Sequence, residues 1–312
     1  MTDAATPAAG RAADVCAIVV THRPDVSVLA EALAALTPQV GSVVVVDNAT
    51  TDPAFHDVCA NYHGMQVLAL PDNLGLAHGL NAGIEHARSL PGVRHVLLMD
   101  QDSTPDSGMV PALRDALDRL AARGQVGAVG PRFRDPRELA DAPFVRIGFP
   151  LNRKLRCAGG CAEIRCDFLI SSGCMIPLAV LDEIGGMDAA LFIDNVDLDW
   201  CFRASAAGFA LYGICAARMR HRLGDRRRRV PGFARGIVVH PPRRLYYIMR
   251  NRVLLYRRGY TPARWIAQDI PRLFSKLLLF STWVPPRGAN LRSMLAGLRA
   301  GLAGRTTPPP SS

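Results

Sequence analysis

Between residues 14 and 130 the chain alternates short β-branched runs with stretches of helical periodicity, and this alternation constrains the fold more than any other feature. Residues 16–21, 42–47, 65–70, 93–100 and 126–130 read as strands; 26–36, 53–62, 76–89 and 107–122 read as the helices between them. Parallel strands need long crossovers, and helices supply them. The pattern therefore predicts an α/β fold with a mostly parallel central sheet flanked by helices. Ligands in such sheets bind beyond the carboxyl ends of the strands. Polar residues collect at those ends: Thr21-His22-Arg23, Asp47-Asn48, Asp72-Asn73 and Asp100-Gln101-Asp102.

Asp100 and Asp102 follow the apolar run 95–98, where a buried strand opens into a loop. Two carboxylates at that spacing can lean to one side of the chain, and their hard oxygens suit Mg²⁺ or Mn²⁺ held against a diphosphate. A polar strand-end turn would use the same residues. The chain has neither a G-x-G-x-x-G joining its first strand and helix nor a Walker A motif, so a nucleotide must be held in another way. Asp47 can accept from the imide N–H of a uracil or thymine, leaving the pyrophosphate to a metal.

Beyond residue 131 the pattern is less regular. A strand is expected at 167–170, followed by the turn Ser171-Ser172-Gly173 and a helix over 177–184. The segment 191–203 opens a helix that stops at Gly208, and a strand at 212–214 leads to His221 and four consecutive arginines. Residues 265–283 mix apolar residues with Arg272 and Lys276, as an interfacial amphipathic helix does and as a helix packed on the core does; Pro271 interrupts the period.

At 312 residues and 49% hydrophobic, the chain can bury a full core without disulfide staples. Residues 1–219 carry 17 Lys and Arg against 25 Asp and Glu, a balance of −8, whereas 220–312 carry 20 against 2, or +18. The basic character thus belongs to the C-terminal part. No patterned aromatics or recognised motif accompany it, so an anionic membrane surface is expected as the partner in preference to nucleic acid. The eight cysteines form no Cys-x-x-Cys pair and read mostly as reduced, buried side chains of a cytoplasmic protein; Cys157, Cys161 and Cys166 fit a hairpin better than a zinc site. Residues 1–13 read as a disordered leader and 306–312 as a disordered tail. No run approaches the roughly 18 apolar residues of a spanning helix, so membrane contact is expected to be peripheral.

VVVVDN at 43–48, NLGLAHGLNAG at 73–83, LLMDQDS at 97–103, FLISSGC at 168–174, LFIDNVDLDWCFR at 191–203 and His221 occur in that order. The series resembles the inverting family 2 glycosyltransferases of GT-A fold, and within them the bacterial rhamnosyltransferases of rhamnolipid and O-antigen type. The resemblance covers about residues 14–260 and implies a GT-A domain over 14–240 with a basic helical extension over 241–305. It implies a metal-dependent transfer of L-rhamnose from dTDP-L-rhamnose to a lipid-linked or glycolipid hydroxyl. Asp197 is then the general base, Asp102 the principal metal ligand, and His221 a second ligand or phosphate contact. Thr21, Asp47, Asn48, Asn73, Asn81, Asp100 and Gln101 surround the nucleotide sugar, while Ser172, Gly173 and Asp194 face the acceptor. For Asp194 and Asp199 the preferred reading of the residues themselves is that they cap the helix they begin. Another NDP-sugar, or an inactive lipid- or nucleic-acid-binding module on the same fold, are the alternatives.

Overall fold

The computed structural model describes residues 10–62, 64–138, 140–222, 226–230 and 233–306. The elements are β1 (Ala12–Thr21), α1 (Val26–Leu36), β2 (Val40–Asp47), α2 (Pro53–Ala60), β3 (Met65–Ala69), α3 (Leu76–Ser89), β4 (His95–Asp100), β5 (Ser103–Pro105), α4 (Met109–Ala121) and β6 (Val126–Arg134). They continue with β7 (Phe144–Arg146), β8 (Arg153–Leu155), β9 (Glu163–Cys166), β10 (Cys174–Pro177), α5 (Leu178–Ile184), α6 (Val196–Ala206), β11 (Ala210–His221), β12 (Arg226–Val230) and β13 (Phe233–Val239). Three helices follow: α7 (Pro242–Tyr256), α8 (Ala263–Thr282) and α9 (Arg287–Leu302).

Among the described residues, nine strands form one sheet in the order β3-β2-β1-β4-β10-β6-β11-β5, with β9 also paired to β11. β1 to β4 are mutually parallel where they pair, and β6 is parallel to β11; β10, β9 and β5 are antiparallel to their neighbours. The side-chain alternation of β1 builds two cores. Cys16, Ile18 and Val20 join one cluster with α3 and α6, whereas Val15, Ala17 and Val19 join another with α1 and α4. Burial on both faces is why this strand reads as a continuous apolar run and not as an alternating one.

Gly79 and Gly83 show why the Gly-rich stretch of α3 matters. A Cβ on Gly79 would lie 2.8 Å from Val20 Cγ1, and one on Gly83 would lie 2.3 Å from Ile18 Cγ2. The glycines bring the helix backbone down onto β1 and fix where the segment before α3 enters the strand ends.

Several expectations are corrected. The strand expected at 167–170 lies earlier, at β9; residues 167–170 leave the ladder, with the Leu169 N–H turned to Cys201 Sγ at 3.4 Å and an isolated bridge at Phe168. β11 is far longer than residues 212–214 because its two ends pair with β9 and β5 on one edge while β6 covers the other. Cys157 and Cys215 form a disulfide, against the reduced state expected for the cysteines; Cys16, Cys59, Cys166, Cys174 and Cys201 are free and buried, and Cys161 is free and exposed. α8 runs through Pro271, whose missing N–H falls on the solvent side, where the preceding turn's Ala267 is also exposed. Residues 12 and 13 of the expected leader belong to β1, while residues 1–9 and 307–312 of the leader and tail lie outside the described residues.

The C-terminal helices are built into the molecule. Leu254, Leu255 and Trp265 enter the core cluster of the sheet, and α7 packs along α9 through Gly297 and Gly301. No helix among the described residues is long and apolar enough to cross a membrane.

Candidate active site

The carboxyl ends of β1, β2 and β4 open into a cleft of about 450 Å³. Asp100 is the last residue of β4, and the turn Gln101-Asp102 leads straight into β5. The antiparallel register of β5 with β11 sets Ser103 opposite His221. That pairing carries a histidine more than a hundred positions away to the two aspartates. His221 Nε2 lies 4.0 Å from Asp100 Oδ2, and Nδ1 lies 3.9 Å from Asp102 Oδ1. One ligand atom from each of the three residues falls within 4.8 Å of the others.

A short chain of hydrogen bonds holds this cluster. Ser172 Oγ accepts from the Asp100 N–H at 3.3 Å and donates to Ser103 Oγ at 2.6 Å; Ser103 Oγ in turn meets His221 Nδ1 at 2.7 Å. Donation of an Nδ1–H to Ser103 is the tautomer that leaves the Nε2 lone pair facing Asp100. Burial raises the Asp100 pKa, His221 and Arg244 oppose the rise, and Asp102 adds to it. Two carboxylates and an imidazole concentrated in one half-buried spot are a donor set that fits Mg²⁺ or Mn²⁺.

Asp197 stands in the first turn of α6 and lines the same cleft. Burial, with smaller additions from Asp100 and Asp194, pushes its pKa up to about 6 against the backbone N–H of Leu198, which donates to Oδ1 at 2.8 Å. The segment before it is unusually shaped. Phe192, Asp194 and Asn195 all have positive φ, at 64°, 63° and 64°. Phe192, with ψ −65°, is the centre of a γ-turn closed by Ile193 N–H donating to Leu191 O at 2.7 Å.

Side chains of α7 hold this loop. Asn251 Nδ2 is 2.8 Å from Leu191 O, 2.8 Å from Ile193 O and 2.9 Å from Asp194 O, and Arg250 donates to Ala190 O at 2.6 Å and to Leu191 O at 3.2 Å. Arg244 clamps the Asp194 carboxylate at 2.9 and 3.0 Å, and Phe192 stacks on Tyr247 at 4.7 Å. The capping role expected for Asp194 and Asp199 is therefore corrected. Asp194 is paired with Arg244, and Asp199 is fully buried against Arg203, Arg258 and Tyr260, while Asn195 occupies the N-cap without a side-chain cap bond.

The residues expected on the nucleotide and acceptor sides divide into two groups. Thr21, Asn48, Asn73, Asp100, Gln101 and Asp194 line the cleft. Asn48 Oδ1 accepts from Leu74 N–H at 2.9 Å, Asn73 Oδ1 from Gly75 N–H at 3.0 Å, and Gln101 Oε1 from His22 N–H at 2.7 Å. Asp47, Asn81, Ser172 and Gly173 lie behind this lining. Asp47 accepts from Thr50 N–H at 3.0 Å, and Asn81 ties α3 to Met187 through bonds of 2.8 and 2.7 Å. Ser172 is buried beneath the Asp100–Asp102–His221 group, and Gly173, at φ 81°, has no room for a Cβ beside Pro131.

His22, Ser103, Arg244, Arg250 and Asn251 escaped the sequence reading. His22 Nδ1 faces Asn48 O at 2.8 Å and so carries the proton, leaving Nε2 to accept from Asn73 Nδ2 at 3.1 Å. A strand-end position was the available signal for His22. For Arg250 and Asn251 it was their location inside an otherwise apolar helical run.

Residues 16–172 match the family described as glycosyl transferase family 2. The chain belongs to glycosyltransferase family 2. It is 31% identical over 250 residues to the dTDP-rhamnosyl transferase RfbF of Shigella flexneri, covering 80% of this chain and 82% of that one. It is 28% identical over 217 residues to the galactofuranosyltransferase GlfT1 of Mycolicibacterium smegmatis, covering 64% and 68%. Among solved structures, Staphylococcus aureus TarS 1-349 in complex with UDP superposes with a TM-score of 0.54 at 15% identity, over 94% of this chain and 92% of that one. GalNAc-T7 with UDP, GalNAc and Mn²⁺ gives 0.57 at 11%, over 95% of this chain and 58% of that one. The transferase has the GT-A-like fold that its motif series implied.

Proposed function

We propose that this glycosyltransferase moves L-rhamnose from dTDP-L-rhamnose, with inversion, to a hydroxyl of a lipid-linked acceptor such as a rhamnolipid or a polyprenyl-linked glycan. The observation that carries the chemistry is the Asp100–Asp102–His221 cluster in the same cleft as Asp197. The donor identity rests on the likeness to the rhamnosyl transferase. Asp102 and His221, with Asp100, would hold Mg²⁺ or Mn²⁺, which when bound neutralises charge developing on the departing diphosphate.

Asp197 takes the proton of the acceptor hydroxyl as its oxygen bonds to the anomeric carbon and the bond to dTDP breaks on the opposite face. A carboxylate with its pKa raised to about 6 is still mostly ionised at neutral pH and a better base than a solvated aspartate. Gln101, Asn73 and His22 form the polar wall for the donor, while Asp47, buried behind the lining, accepts from Thr50 N–H and Thr21 Oγ and so shapes the end of β2 on which the nucleotide pocket rests. The +18 balance after residue 219 supports a peripheral position on the anionic cytoplasmic face of a membrane, where a lipid-linked acceptor is confined.

A second reading, a different NDP-sugar, is favoured by the galactofuranosyltransferase likeness. Calorimetric titration with dTDP and UDP, each with and without Mn²⁺, tests the donor side. Metal-dependent binding that prefers dTDP is expected; affinity indifferent to Mn²⁺ overturns the metal assignment, and a preference for UDP overturns the nucleotide.

A further inference from the structure

The outward face of α8 is apolar. Ile270, Phe274 and Leu278, at intervals of four, are 39%, 64% and 66% exposed, with exposed Ala267 and Pro271 on the same side. The opposite face is buried through Trp265, Gln268, Asp269, Leu273 and Phe280. α8 thus uses one side to pack on the protein and presents a second apolar stripe to solvent. Trp283, 53% exposed, is the C-cap residue that follows α8, and α9 adds a row of its own with Leu291, Leu295 and Leu302. Among the described residues, seven of the eleven exposed large hydrophobic side chains fall between 270 and 302, which makes this a localised patch and not the usual scatter.

The charges around the patch share one sign. Arg264, Arg272, Arg287, Arg292 and Arg299 are exposed, and the one acid between 242 and 305, Asp269, is buried against Tyr256 and Arg252. An apolar stripe rimmed by cations complements a surface that is apolar just beneath an anionic layer. A partner protein matched to this rim would have to be both acidic and apolar, whereas an anionic bilayer offers both at once. A 20-residue helix is about 30 Å long, enough to lie along such a surface.

We infer that α8 lies in the headgroup region of an anionic bilayer with Ile270, Phe274, Leu278 and Trp283 inserted among the acyl chains. This deepens the membrane reading above and rests on it. It adds an apolar anchor to the electrostatic one and makes attachment partly resistant to salt. α7 links the anchor to the cleft, since it carries Arg244 of the cleft wall and packs on α9.

The test compares the full chain with F274S/L278S, two substitutions at exposed positions, using vesicles of mixed phosphatidylglycerol and phosphatidylcholine and vesicles of phosphatidylcholine alone. Wild type should sediment with the anionic vesicles, stay partly bound at about 1 M salt, where the Debye length is about 3 Å, and shift its Trp emission to shorter wavelength. Trp283 reports the shift, because Trp200 and Trp265 are only 1% and 6% exposed. The double variant should partition at least about tenfold more weakly and lose all salt-resistant binding, with unchanged melting temperature and dTDP affinity. Equal partitioning of the two proteins, full release of wild type at high salt, or an unshifted emission overturns the insertion. So does a concentration-dependent dimer that the double variant abolishes, which would assign the patch to a second copy. Failure of the donor reading shows separately, as loss of dTDP preference with vesicle binding intact.

Discussion

Asn251→Ala tests whether α7 holds the base-bearing loop in its strained shape. The Asn251 side chain is fully buried, with Nδ2 within 2.9 Å of three loop carbonyls and Oδ1 accepting from Arg250 Nε at 3.0 Å. Leu191 O keeps a second donor in Arg250, so truncation takes the Asn251 donor from Ile193 O and Asp194 O. A buried polar group left unpaired costs about 1–3 kcal/mol, and water entering the vacated space recovers part of it; the expected loss is about 3–4 kcal/mol. The positive-φ residues Phe192, Asp194 and Asn195 each store about 1–3 kcal/mol, which the freed loop would release by relaxing. Asp197 follows directly on that loop, so kcat should fall at least about tenfold. Urea denaturation measures the first effect, and turnover beside dTDP titration measures the second, with kcat expected to fall more than nucleotide affinity. A variant that loses less than about 1 kcal/mol and turns over normally refutes the reasoning.

Asp102→Asn should abolish the Mn²⁺ dependence of dTDP binding while leaving the melting temperature near wild type, because a neutral amide is a poor ligand for a hard cation; unchanged metal dependence counts against the assignment. Asp197→Asn should abolish turnover with nucleotide affinity retained, and wild-type kcat/KM should drop as pH falls through about 6, where the free enzyme's Asp197 protonates. The folded pKa lies above the ordinary aspartate value, so the ionised carboxylate destabilises the fold above pH 6. Asp197→Asn should therefore melt higher at pH 7, with the gain shrinking as pH falls toward about 4. Asp199→Asn weakens a fully buried pairing with Arg203 and Arg258 and should cost about 3–5 kcal/mol in urea denaturation with a smaller effect on turnover than Asp197→Asn. Reduction of the Cys157–Cys215 disulfide, which spans 58 residues, should cost about 4 kcal/mol, read as a lower melting temperature in reductant; identical melting with and without reductant would show that the bond is not formed.

The first half of the molecule was legible because its signals are local. α1 and α3 begin and end where periodicity sets them, and β1, β2 and β4 end on polar residues that line or support the cleft. Asp102 and His221 were each weak alone; the ordered motif series joined them before the register of β5 with β11 supplied the physical reason. What stayed hidden depends on distant partners. Nothing local distinguishes Asp194 and Asp199 from helix caps until Arg244, Arg203 and Arg258 are brought beside them. The γ-turn at Phe192 is unreadable because a bulky residue at positive φ violates local preference and survives only through α7. Cys157 and Cys215 have no sequence spacing that marks them as a pair. Pro271 misled in the opposite direction, since a helix edge facing solvent tolerates the missing donor.

The most direct test of the central claim is product mass analysis after incubating the enzyme with extracted bacterial lipids, Mg²⁺ and a panel of dTDP- and UDP-sugars. The account predicts a deoxyhexose increment on a lipid species with dTDP-L-rhamnose, absent with EDTA and absent for Asp197→Asn. A hexose increment from a UDP-sugar with none from dTDP-L-rhamnose, or a deoxyhexose product that forms undiminished in EDTA, would contradict it.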